Sequence, residues 1–296
     1  MDEVGLLKRS GGPVTRAGLA RGLGRLGLGA GDVVMFHTRM SALGYVAGGS
    51  QTVINALRDA VGERGTLMVT CGWNDAPPYD FVEWPPEWQD ALRAEHPAYD
   101  PVVSEADHSN GRLPEALRRW PGAVRSRHPD VSFAALGPQA HALMDDHPWD
   151  DPHGPDSPLA RLTDMGGRVL MLGAPLDTIT LLHHAEALAE APGKRFVDYE
   201  QPITVDGERV WRRFHDIDSE NGAFDYGLGD RDPFEAIARD MIAAGHGRQG
   251  TVGAATSYLF EAPDVVSFGV NWIEGRLGGR RFGAWTWSLP LSRRWW

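Results

Sequence analysis

Apolar positions along the chain follow two rhythms, one of helices and one of buried strands. Residues 15–26 place Leu19, Leu23 and Leu26 on one helical face, with Thr15 positioned to cap it. A short buried strand over 32–37 (DVVMFH) follows Gly31. Ser50 then stands where it could cap a helix striped by Val53, Ile54, Leu57 and Val61. A strand over 66–70 (TLMVT) completes a β-α-β unit of about forty residues.

The rhythm then breaks. Residues 72–112 are rich in Trp, Pro, Asp and Tyr, and only a short helix near 87–94 shows periodicity. A connection that long without regular structure reads as a binding segment, an acidic and aromatic insertion. The pattern resumes with a helix over 113–119, a strand over 131–136, a helix over 139–144, a strand over 168–172 and a helix over 179–190. Residues 203–205 and 210–214 form a hairpin across Asp206-Gly207. A helix over 234–244, a strand over 251–260 and a helix over 265–275 capped by Asp264 close the pattern. Residues 1–14, polar and glycine-rich, are expected to be a flexible N-terminus. Residues 278–296, rich in Gly, Arg and Trp, form a tail of no assigned role. Strands alternating with helices, plus a late hairpin, predict one α/β domain over 15–277, with a layered α/β/α fold and a mixed sheet.

Composition narrows the partners. Hydrophobic content of 42% and charged content of 23% belong to a globular protein, and the 296 residues hold no apolar run long enough to span a membrane. Cys71, the single cysteine, excludes an internal disulfide, so a cytoplasmic setting is expected. A net charge of −11 opposes nucleic acid as a partner and is compatible with a cationic small molecule, although solubility alone accounts for such a charge and on charge alone is the preferred reading.

Four groups of residues carry candidate chemistry. After the first strand comes His37-Thr38-Arg39-Met40-Ser41-Ala42-Leu43-Gly44-Tyr45-Val46-Ala47-Gly48-Gly49. Hydroxyls, an arginine and glycines before a helix N-terminus suit a phosphate-bearing ligand, although such a turn equally needs no ligand. Arg125-Ser126-Arg127-His128-Pro129 is a second set of anion donors. Acids and aromatics gather at Trp73, Asp75, Tyr79 and Asp100, and again at Asp216 and Asp218, where they could hold an amine-rich ligand or simply make turns. Finally, the strand 169–172 breaks at Gly173-Ala174-Pro175 and feeds a helix bearing His183, His184 and Glu186. His183 and Glu186 share a helical face, the minimal unit of a general base, with Asp177 as a second acid able to orient the ring. The histidine spacing matches no zinc motif, so no metal is expected.

These motifs, in their order from about residue 19 to residue 272, resemble the aminoglycoside 3-N-acetyltransferase family. The resemblance rests on the 37–49 segment, Gly65-Thr66-Leu67, Gly72-Trp73, Tyr99-Asp100-Pro101, Arg125-Ser126-x-His128-Pro129, Gly154-x-x-Ser157-Pro158-Leu159 and Leu172-Gly173-x-x-x-Asp177-x-x-Thr180-Leu181-Leu182-His183-x-Ala185-Glu186. It implies the family's own α/β architecture, unlike that of GNAT acetyltransferases. It implies acetyl-CoA as co-substrate and transfer to the 3-amine of the 2-deoxystreptamine ring, conferring antibiotic resistance. It also implies a coenzyme site at Thr38, Arg39, Ser41, Gly44, Val46, Arg125 and Ser126, with His183 as base. The chain departs from the family pattern at Arg39, where serine is common, and at His215, where an acid is usual. The expected partner is a cationic aminoglycoside, and the protein is expected to be a monomer or homodimer. An acetyltransferase for another amine-bearing metabolite and a sequestering protein without turnover are the alternatives.

Overall fold

A computed structural model describes residues 2–278. The strands are β1 (Val33–Thr38), β2 (Thr66–Thr70), β3 (Val124–Arg125), β4 (Phe133–Leu136), β5 (Arg168–Leu172), β6 (Phe196–Val205), β7 (Glu208–Ile217), β8 (Arg248–Val252) and β9 (Ala255–Glu261). The helices are α1 (Glu3–Ser10), α2 (Arg16–Leu26), α3 (Gly49–Val61), α4 (Pro86–Glu95), α5 (Arg112–Arg118), α6 (Ala140–Met144), α7 (Pro158–Asp164), α8 (Leu181–Leu188), α9 (Pro233–Ala243) and α10 (Ala262–Leu277).

Seven strands form one mixed sheet in the order β3-β4-β2-β1-β5-β9-β8, and β6 and β7 pair apart from it. β1 runs parallel to both β2 and β5, while β4 and β9 join antiparallel on either side. The strand period of two sorts the side chains between two cores. Val34, Phe36, Leu67, Val69, Leu170 and Leu172 face α2, α3 and α5. Met35, Met68, Val169 and Met171 face the layer of α6 to α10. A layered α/β/α architecture with a mixed sheet results, as the pattern predicts.

Several elements differ from expectation. Residues 3–10 form α1, capped by the Asp2 carboxylate at 2.8 Å, where a flexible terminus was expected. Val14 is buried and forms a β-bridge with Val46, so this end of the chain is bound to the turn after β1. Ser50 does not cap α3; Gly48 takes the N-cap position in the left-handed region and the helix starts at Gly49. The strand expected over 251–260 is two, β8 and β9, reversing at Gly253-Ala254. Asp264 lies inside the first turn of α10, whose N-cap is Glu261. The hairpin turns at Asp206-Gly207 as expected, but each of its strands runs ten residues. α7 and β3, both short, answer to no expected element. Tail residues 279–296 lie outside the described residues.

Candidate active site

At the carboxyl end of β1 the chain leaves the sheet and opens a cleft of about 700 Å³. Crevices at this end of parallel strands are the usual ligand sites of α/β sheets. Thr38, Arg39, Ser41, Gly44 and Val46 all line it. Gly44 sits at φ +92, and a Cβ there would come within 2.5 Å of the Ser10 side chain. Only glycine allows both this backbone and this approach, and it lets α1 close one wall with Glu3 and Leu6. Arg112 and Tyr45 also line the cleft. Tyr45 belongs to the 37–49 segment, but Arg112 did not stand out in the sequence, since nothing local marks a lone arginine after Gly111 as facing a ligand.

Two buried polar atoms on β1, His37 Nε2 and Thr38 Oγ1, have no partner among the described residues, and both residues line the cleft. Burial pushes His37 down to about 4, so its ring is neutral. Buried polar groups are normally paired, so orphans at a cleft wall mark places where a ligand can complete the bonding.

Arg125 and Ser126 do not line this cleft. The Arg125 side chain is buried across the Tyr99 ring, with its guanidinium on Ser132 Oγ and the carbonyls of Pro101, Ser104 and Gly72. Ser126 is 1% exposed, and its Oγ meets the Phe133 amide and His147 Nδ1, each at 3.0 Å. Donors expected to grip a ligand instead knit the 72–104 segment to the edge of the sheet. Cys71, next to that clamp, is fully buried, and burial pushes its thiol up to about 12.

Beyond the inner end of the cleft stands α8. Gly173, at φ +67 and pressed between Ala42 and Ala255, breaks β5 and turns the chain toward it. Thr70 Oγ1, on the cleft wall, donates to Thr180 Oγ1 at 3.1 Å, and Thr180 is the N-cap residue of α8. Three residues later His183 Nδ1 lies 2.8 Å from Glu186 Oε2. Glu186 is 2% exposed, while the His183 side chain keeps 22% exposure. The other carboxylate oxygen accepts the Tyr226 hydroxyl, whose proton affinity is raised by burial and then by Glu186, so it remains a donor. Arg276 holds the Tyr226 carbonyl at 2.6 Å. Glu186 is therefore the carboxylate in contact with the His183 ring, on its Nδ1 side. Asp177 is exposed and does not bond the ring. Its carboxyl is held above the ordinary range by burial and then by Asp232 and Glu235.

The expected substrate residues fall into separate roles. Asp216 is not in an open acidic loop: it lies in β7 at 3% exposure, with Oδ2 2.9 Å from His153 Nδ1 and Oδ1 on the Ile217 amide. Asp100 accepts the Val102 and Val103 amides, and Asp218 accepts the Asn221 amide and side chain, so both make turns. Tyr79 donates to Asp130 at 2.7 Å and stacks on Tyr199 at 4.4 Å. Trp73 is buried against His96 and Tyr99, and Asp75 is exposed beside Asn74. The sequence reading did not single out His153, Asp130 or Tyr226. His153 immediately precedes the Gly154-x-x-Ser157 motif, a position that could have drawn notice. Among the described residues, no three His, Cys, Asp or Glu side chains converge on a possible metal position. None of the described helices is long and apolar enough to cross a membrane.

Comparison with known proteins accords with this geometry. The family described as aminoglycoside 3-N-acetyltransferase matches residues 35–274. Aminoglycoside N(3)-acetyltransferase VII of Streptomyces paromomycinus is 78% identical over 284 residues, which are 95% of this chain and 99% of that protein. The crystal structure of the aminoglycoside acetyltransferase AAC(3)-Xa superposes with a TM-score of 0.93 at 70% identity, covering 94% of this chain and 98% of the other. AAC-IIIb, solved as a binary complex with CoASH, superposes with a TM-score of 0.83 at 43% identity, covering 90% and 98% of the two chains. With the sheet, the cleft at the end of β1 and the motifs all in place, the chain belongs to the aminoglycoside 3-N-acetyltransferase family.

Proposed function

We propose that this protein transfers the acetyl group of acetyl-CoA to the 3-amine of the 2-deoxystreptamine ring of aminoglycosides, with His183 as general base. The observation that carries the mechanism is His183 Nδ1 at 2.8 Å from a buried Glu186, which leaves Nε2 directed away from its own partner. The coenzyme fits the cleft at the end of β1, where Arg39 and Ser41 are exposed and Thr38 Oγ1 has no partner among the described residues. When bound there it supplies an acyl carbon activated by its thioester.

An ammonium group has no lone pair with which to attack that carbon. His183 Nε2 takes one proton of the ammonium, the amine nitrogen forms the new C–N bond, and the C–S bond breaks as the nitrogen gives its second proton to solvent. His183 then returns a proton to the departing thiolate, so base and acid are one residue. Glu186 holds the tautomer and offsets the imidazolium, and Tyr226 holds Glu186. The exposed carboxylates Asp177 and Asp232, with Glu235 beside them, offer counter-charge to the remaining ammonium groups of such a substrate. Asp75, exposed on the 72–112 segment, offers the same.

The test is acetyl transfer from acetyl-CoA to gentamicin, kanamycin and apramycin, followed by thiol release and with the product nitrogen assigned by NMR. Acetylation at N3 is expected. Thiol release with a simple amine but with none of the three aminoglycosides would move the reading to another amine-bearing metabolite.

A further inference from the structure

The reaction as described leaves one buried ion pair beside the base without a part. His153, in the loop ahead of α7, and Asp216, near the end of β7, meet at 2.9 Å with each side chain 3% exposed. The His153 carbonyl accepts a hydrogen bond from His184 Nδ1 at 2.7 Å, which ties this loop to the helix bearing the base. The His153 ring lies 5.1 Å from the His183 ring, centroid to centroid, at an interplanar angle of 48°. Phe234 packs on His183 at 4.7 Å. The base is thus bounded by Glu186 at Nδ1, by Phe234 and by a second imidazole.

We infer that the Asp216–His153 pair is a positioning device for the acetyl transfer, holding His183 turned toward Glu186 with Nε2 open to the incoming amine. The inference rests on His183 being the base. A carboxylate as buried as Asp216 needs a cation, and the His153 imidazolium is the group in contact with it. A positive charge at that distance from His183 opposes a second proton there, whereas Glu186 favours one. The two neighbours pull in opposite directions. That balance helps His183 surrender its proton to the leaving thiolate.

The surroundings agree with a charged His153. Facing it are Asp216 from β7, Asp130 from the loop before β4, Glu186, His183 and His184 from α8, Asp151 from its own loop, and His128 and His147. Burial draws its proton affinity down, but Asp216, with Asp130 and Glu186 adding, raises it above the ordinary imidazole range. His128 and His147 are driven down by burial and stay neutral, so they do not compete for that role.

Two measurements on the full-length protein test this. Nitrogen-15 NMR of histidine-labelled wild-type protein at pH 7 should show His153 carrying both ring protons. A neutral His153 overturns the inference, and this measurement needs no variant to fold. The pH profile of kcat/KM should then move in His153→Gln, because Asp216 is left uncompensated near the base. The acid limb is expected about one pH unit higher, with KM for acetyl-CoA unchanged. Asp216→Asn should lower kcat and remove the second ring proton of His153. A fall in kcat with the acid limb at its wild-type position would mean that the pair only supports the fold, and would overturn the inference. Failure of the base itself is distinguishable: His183→Gln would then retain wild-type kcat whatever the state of His153.

Discussion

The cleft after β1 and the cluster around His183 are neighbours built on opposite principles. In the cleft, buried atoms such as His37 Nε2 and Thr38 Oγ1 have no partner among the described residues. Around His183 the polar groups are closed on one another: Glu186 on both His183 and Tyr226, and Asp216 on both His153 and the Ile217 amide. A binding surface gains by leaving groups for its ligand to satisfy. A base gains by having its geometry fixed before the substrate comes, so that little reorganisation remains for the reaction.

If that contrast holds, substitutions in the two regions separate in kinetics. His183→Ala should lower kcat about a thousandfold while leaving acetyl-CoA affinity unchanged by calorimetry. An equal loss of affinity would mean that the regions are not separate. Arg125→Ala sharpens the comparison from outside it. Its guanidinium serves backbone carbonyls, so the variant should lose about 2–4 kcal/mol of stability in denaturant melts while the folded fraction binds acetyl-CoA normally. Selective loss of coenzyme affinity would return Arg125 to the binding site.

Acid should expose the contrast in another way. His37 and His147 are held neutral by burial, down to about 4 and about 3, and His128 also lies well below the ordinary 6.5. The unfolded chain takes up protons at these positions first, so the stability they contribute is present above pH 6.5 and is lost as pH falls toward 4. Each costs up to about 1.4 kcal/mol per pH unit in that window. His153 has the opposite sign: its contribution is full below 6.5 and declines as pH rises through its raised folded value. Thermal melts from pH 7 to pH 4 should show the neutral group prevailing, and a melting temperature rising with acid would contradict this. The smallest effect belongs to Thr38→Val. Losing an unpaired buried hydroxyl should leave melting temperature unchanged or higher, while KM for acetyl-CoA rises about fivefold. A lower melting temperature would mean that the hydroxyl has an internal partner after all.

Regular periodicity made much of this molecule legible from its sequence. The strands 66–70 and 168–172 begin and end where the apolar runs do, and Asp206-Gly207 turns the hairpin. His183 and Glu186 were legible because one turn of helix decides their contact. Arg125 and Asp216 were not, because their environments come from distant chain. Asp216 is 63 residues from His153, and Arg125 reaches a carbonyl 53 residues away. A carboxylate in a run of acids looks solvated until the strand that buries it is known. α1 escaped notice because its register depends on an Asp2 cap and on the glycine turn it packs against.

The Arg125 clamp and the 72–104 segment that it fastens have a practical consequence for measurement. Cys71 lies beneath them, fully buried, with its thiol pushed up to about 12. A colorimetric reagent for free sulfhydryls consumes thiolate, and the protein's single cysteine presents almost none at assay pH. Colour released during turnover therefore counts coenzyme alone, and slow colour without substrate reports instead the opening of that segment.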